Sequence, residues 1–173
     1  MKDTSNLSNT ISERSPIPII VPDGVYKIYS HIRTHPIRHL VVDMALVEDS
    51  DGVHNVKLFH DNDEPESTWR FFRHPDTALY EISNGINNSL FLGRSEGNGN
   101  NAITSPQETG SGWRRWQWYL KNAGDGVVAI ENHSNQYVLD VAGSHTADNT
   151  NIILYPYQGS DNQKFRLLKL RDL

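Results

Sequence analysis

The chain contains no cysteine. That excludes a disulfide framework, a thiol nucleophile and any thiolate metal site, and it suits a reducing compartment or a secreted fold that holds together without staples. Long hydrophobic runs are missing too: no stretch approaches the ~20 apolar residues that a bilayer-crossing helix requires. Positive charge is scarce, with 16 Lys and Arg against 21 Asp and Glu and a net charge of −5. No basic patch carries interleaved aromatics, so the footprint of nucleic-acid binding is absent. No stretch of ten or more residues reads as a convincing helix. The sequence also has no nucleophile motif, metal signature or phosphate-binding loop, and the expectation is a non-enzyme that needs neither cofactor nor metal. Met1 to Ser15 lack the apolar core of a Sec-type signal, which points to a cytoplasmic protein or one released by another route.

What is there is a chain of 173 residues, 36% hydrophobic, the size of one domain built from short strands and polar loops. Residues 1–20 begin with a stretch rich in Ser, Asn, Thr and charge and read as a flexible, disordered N-terminal tail. Residues 21–173 read as the folded domain. From Gly24 onward short alternating runs are separated by Gly, Asn, Asp and Ser clusters. Alternation punctuated by turns at such short intervals argues for an all-β barrel or sandwich.

Self-comparison narrows the choice. Tyr26-Lys27-Ile28, Tyr80-Glu81-Ile82 and Val128-Ala129-Ile130 open three similar units. Second strands follow at Leu40–Asp43, Leu90–Gly93 and Tyr137–Asp140, and third strands at Val56–Phe59, Ala102–Ser105 and Ile152–Tyr155. Each unit closes on a bulky aromatic, Trp69, Trp118 or Phe165, so the repeat length is about fifty residues. The units span about 22–74, 75–123 and 124–173. Three units of four strands predict twelve strands closed around a pseudo-threefold axis, because an open solenoid would need caps and usually a longer array.

The third unit carries a family resemblance. Tyr137-Val138-Leu139-Asp140-Val141-Ala142-Gly143, then Asn151 to Tyr157, then Asp161-Asn162-Gln163-Lys164-Phe165 resembles the repeat of ricin B-chain-type lectins: L-D-V-x-G, a strand ending in an aromatic, and N-Q-x-W. Phe165 stands where the family has its final Trp. The resemblance extends over residues 22–170 and is weakest in the second unit. It implies a β-trefoil fold, galactose-type glycans (galactose or N-acetylgalactosamine) as partners, and no catalytic machinery.

The residues themselves suit a sugar. A pyranose presents a rim of hydroxyls and, in galactose, an apolar face of C–H groups. Tyr155 can stack on that face. Asp140 can accept two adjacent hydroxyl protons through charge-assisted hydrogen bonds. Asn162 can donate and accept, and Gln163 can fix the loop or reach a hydroxyl. The family often has a polar residue two before the aromatic, where this chain has Ile153. The first unit keeps Asp43 and Phe59 at matching spacing and is the candidate second sugar site, but Ser67-Thr68 replace the amide pair behind an acidic loop, which leaves three readings open: weak binding, a different ligand, or silence. The second unit has Gly93, Ser105 and Arg115-Trp116 at these places and reads as silent.

Other readings of the same residues are blander. Trp69, Trp118 and Phe165 suit a core, and Asp140 alone could simply cap a turn. His31, His35 and His39 have helical metal-ligand spacing, but Pro36 interrupts them. Glu48 to Gly52 lacks the full alternation of a calcium loop. Asn87-Asn88-Ser89 and Asn132-His133-Ser134 match the glycosylation acceptor, which is idle without a secretory signal. A protease inhibitor acting through loop 31–39 or 106–113 is the competing function, since fold does not imply function. A glycan-targeting subunit of a toxin or hemagglutinin complex is the other, and a homodimer is the simplest assembly.

Overall fold

Alternation decides which face of each strand is inside. In the segment His54–His60, Val56 and Leu58 are fully buried while Asn55, Lys57 and Phe59 point outward. Thr150–Tyr155 repeats the pattern, with Ile152 and Leu154 inside and Asn151, Ile153 and Tyr155 outside. This is the period-two signature of a half-buried strand. The computed structural model of the chain describes residues 16–97 and 100–173.

The strands are β1 (Pro18–Ile19), β2 (Gly24–Ser30), β3 (Leu40–Glu48), β4 (His54–His60), β5 (Thr68–Arg73), β6 (Leu79–Asn84), β7 (Phe91–Arg94), β8 (Ala102–Ser105), β9 (Gln117–Asn122), β10 (Val128–Asn132), β11 (Val138–Val141), β12 (Thr150–Tyr155) and β13 (Phe165–Arg171). Among the described residues the only helical segments are short 3-10 turns, and one precedes the last strand of each unit: Pro65–Ser67, Trp113–Trp116 and Asp161–Gln163.

Six strands close a barrel. β2 pairs with β5, β5 with β6, β6 with β9, β9 with β10, β10 with β13, and β13 returns to β2. All the pairings are antiparallel, and closure leaves the barrel without a free edge. The other strands form three hairpins, β3–β4, β7–β8 and β11–β12. These join one another through β12 to β4, β4 to β8, and an Asn101–Ile153 bridge. A six-stranded barrel capped by three linked hairpins is the β-trefoil expected from the repeats.

The repeat signals have physical counterparts. Trp69 and Trp118 are fully buried, and their indole N–H groups donate to the carbonyls of Val42 and Leu92 at 2.8 and 2.9 Å. A buried indole needs such a partner. Phe165 fills the third position and has no donor to satisfy. Where the hairpins meet, Asn55, Asn101 and Asn151 close a ring: Asn55 donates to Asn151 (3.0 Å), Asn151 to Asn101 (2.8 Å) and Asn101 to Asn55 (2.9 Å). Each amide both gives and receives one bond, so three repeats are tied by one cyclic network.

One expectation shifts. The structure has thirteen strands among the described residues, not twelve, because the end of the expected tail joins the sheet. Residues 1–15 of that tail lie outside the described residues. Pro18 and Ile19, however, pair with Lys121 and Leu120 of β9, and Val21 exchanges two hydrogen bonds with the Tyr80 hydroxyl, at 2.8 and 2.7 Å. Ile19 and Val21 pack against the core, and an edge strand tolerates Pro18 because it need not donate.

Candidate functional site

In the third unit, β11 and β12 pair so that Asp140 faces Ile153 and Val138 faces Tyr155 on the outer side of the hairpin. Tyr155 is 44% exposed and offers its ring to solvent. The turn Asp161–Gln163 folds back over the hairpin. Asn162 Nδ2 donates to Asp140 Oδ1 (3.0 Å) and to the Val141 carbonyl (3.2 Å). Gln163 Nε2 donates to Asp140 Oδ2 (2.8 Å) and to the Pro156 carbonyl (2.9 Å), while its Oε1 accepts from the Gln158 N–H (2.7 Å). Asp140, Asn162 and Gln163 are thus brought together, with Tyr155 on the neighbouring strand.

This geometry assigns a task to each group. Gln163 is fully buried with both amide protons and its oxygen engaged, so it is a strut and cannot reach a ligand. Asn162 has used both amide protons, which leaves its Oδ1 to face a hydroxyl. Each Asp140 oxygen has received one N–H and keeps acceptor capacity. Burial raises the Asp140 pKa above the ordinary aspartate value, and the bonds from Gln163 and Asn162 offset only part of that rise. A surface groove of about 640 Å³ runs along Tyr155 and Ile153 and reaches the asparagine ring. Asp140 is not among the residues that line it.

The first unit has the same frame, with a different occupant. Asp43 pairs in register with Lys57, as Asp140 does with Ile153. The Lys57 ammonium lies 3.4 Å from Asp43 Oδ1 and 4.3 Å from the centre of the Phe59 ring, and donates to Asn149 Oδ1 at 2.8 Å. The Ser67 hydroxyl donates to Asp43 Oδ2 (3.0 Å). A cation therefore sits on both the acceptor and the aromatic face that a sugar would use. Burial raises the Asp43 pKa, and the Lys57 charge and the Ser67 bond pull it back. Phe59 is further covered by the His60 ring, stacked at 4.5 Å.

The second unit is filled with carbon. Trp116 occupies the place of Gln163 and is fully buried. A Cβ on Gly93 would come within 2.2 Å of its ring, so the glycine is what admits it. Arg115 stands where Asn162 stands and stacks on Trp116 at 4.6 Å, with Nη1 donating to the Arg94 carbonyl (3.1 Å), much as Asn162 donates to Val141. Sequence reasoning placed Trp116 at the position of the amide pair but missed Lys57, whose approach to Asp43 and Phe59 depends on cross-strand register.

The family described as ricin-type beta-trefoil lectin domain-like matches residues 65–155 and 116–171, together more than half of the chain. The designed three-fold symmetric protein ThreeFoil superposes with a TM-score of 0.69 at 25% identity, over 86% of this chain and 100% of its own. The agglutinin of Rhizoctonia solani does so with 0.69 at 20% identity, over 89% of this chain and 100% of its own. A mosquitocidal holotoxin matches with 0.72 at 21% identity over 88% of this chain, which corresponds to only 18% of the holotoxin. No curated protein matches the sequence. The chain belongs to the ricin-type β-trefoil lectin domain-like family and is of the carbohydrate-binding class.

Proposed function

We propose that the chain is a lectin for galactose- or N-acetylgalactosamine-type glycans, with its working site in the third unit and no catalytic role. The observation that carries this reading is the acceptor Asp140, held by two amide donors at 3.0 and 2.8 Å one strand away from the exposed Tyr155 ring. A fixed acceptor costs little to order on binding, and preorganisation of this kind favours affinity. The aromatic supplies an apolar platform that rewards the C–H face of galactose. The first unit contributes little in this reading, because Lys57 already neutralises Asp43 and covers Phe59. Partners are then glycans on glycoproteins or glycolipids. Delivery of a larger toxin or hemagglutinin partner, or agglutination by a homodimer, would draw on the same site.

A glycan array with the purified chain tests the ligand class. Terminal galactose or N-acetylgalactosamine should dominate the signal, and Tyr155→Ala should lose it while melting within a few degrees of the wild type. Binding confined to unrelated sugars contradicts the galactose assignment. Absence of glycan binding together with inhibition of a protease would replace the lectin reading by the inhibitor reading.

A further inference from the structure

The connection between β2 and β3, residues 31–39, is longer than its counterparts 85–90 and 133–137. It also gathers basic side chains: Arg33 and Arg38 lie within it, together with His31, His35 and His39. The loop is built, not loose. Thr34 Oγ1 donates to the Pro36 carbonyl (2.9 Å) and accepts from the Arg38 N–H (2.7 Å), and Ile32 packs against the core. With β13 it encloses a cavity of about 400 Å³ whose lining includes His31, Arg33, Arg38, His39 and Arg166 and no carboxylate.

The nearby acids are already engaged. Asp148 accepts from Arg38 Nη2 (3.0 Å) and from both the backbone N–H (2.9 Å) and the ring (2.7 Å) of His60. Asp61 accepts from Lys27 (2.6 Å) and from the Tyr29 hydroxyl (2.5 Å). Arg166 lies over the Tyr29 ring at 5.5 Å. Neither Arg33 nor Arg166 has an ion pair among the described residues. Two solvent-exposed guanidinium forks thus border one cavity without an ion-pair partner among the described residues, and planar forks suit an oxyanion geometrically as well as electrically.

We propose that this cavity is a second binding site, for a sulfate or phosphate group, separate from the Asp140 site. Arg33 and Arg166 make the charged contacts, Arg38 holds the loop against Asp148, and the histidine rings add N–H donors. The inference is independent of whether Asp140 binds a sugar. Two sources share the chemistry, a free anion and a sulfated or phosphorylated sugar.

The test is a ¹H–¹⁵N NMR titration of the full chain with sodium sulfate and with sodium phosphate, against sodium chloride at equal ionic strength. Sulfate or phosphate should shift the resonances of residues 31–39 saturably, and chloride should not. Arg33→Ala combined with Arg166→Ala should weaken the response about tenfold or more, with melting unchanged, and Asp140→Ala should leave it intact. Galactose 6-sulfate binding more tightly than galactose, with the gain removed by Arg33→Ala, assigns the group to a sugar. A response to the inorganic anions without that gain assigns it to a free anion. Equal shifts with chloride, a wild-type response in the double variant, or loss of the response in Asp140→Ala overturns the proposal. Because galactose is titrated in parallel, failure here is distinguishable from failure of the lectin reading.

Discussion

Asp140 combines two demands that pull in opposite directions. Burial raises its pKa, so by linkage its contribution to stability is fully present below the unfolded-state value and is lost as pH rises through the folded value. The proposed sugar recognition asks for the opposite form, since the ionised carboxylate is the stronger acceptor and the one that both amides address. The fold therefore bears a modest cost at neutral pH to keep a charged acceptor in place. The predicted consequence is that galactose affinity falls on acidification at a pH above the ordinary aspartate range, while the fold itself persists. Titrations at stepped pH with melts alongside check this. Affinity that stays flat until an ordinary aspartate would titrate contradicts it. At this scale the sequence was partly legible. The grouping of Asp140, Asn162 and Gln163 beside Tyr155 was expected from the resemblance of the third unit to the ricin-type repeat, but the strut role of Gln163 was left open, because spacing cannot say which side of a turn an amide faces. The occupation of Asp43 and Phe59 by Lys57 was equally hidden, since it depends on cross-strand register.

The three hairpins are one element with three interiors. In the third, two amides grip a carboxylate; in the first, a lysine does; in the second, an indole replaces both partners and Gly93 makes room for it. Gly93→Ala should therefore act as an overpacking substitution, costing about 1–3 kcal/mol, which in a chain of this size lowers the melting temperature by very roughly 2–12 °C. Sugar titration of the folded variant should match the wild type. A melt identical to wild type would mean that Trp116 does not fill that space. Strands and hairpins were readable because alternation and turn residues are local. The short β1 was not: Pro18 and Ile19 look like a linker until β9 supplies a partner, and pairing over such a separation leaves no local trace.

At the scale of the whole molecule, threefold recurrence made the fold legible before any contact was known. Near-equal spacing of Trp69, Trp118 and Phe165 implied closure, and the barrel obeys it. The ring of Asn55, Asn101 and Asn151 was also written in the repeats, four residues before Phe59, Ser105 and Tyr155. It went unread because a polar residue in a strand looks like ordinary exposure until three hairpins converge. Symmetry of the frame with asymmetry of the sites leads to the central claim: one galactose-type site per chain, in the third unit. An NMR titration of the ¹⁵N-labelled chain with N-acetylgalactosamine tests it most directly, alongside Asp140→Ala and Asp43→Ala. A single shallow site should give one saturable set of shifts around Tyr155 with a Kd at about millimolar strength, roughly −4 kcal/mol. Asp140→Ala should abolish it with a melt within a few degrees of wild type, and Asp43→Ala should leave it unchanged. Wild-type binding by Asp140→Ala, with loss in Asp43→Ala, would contradict the account.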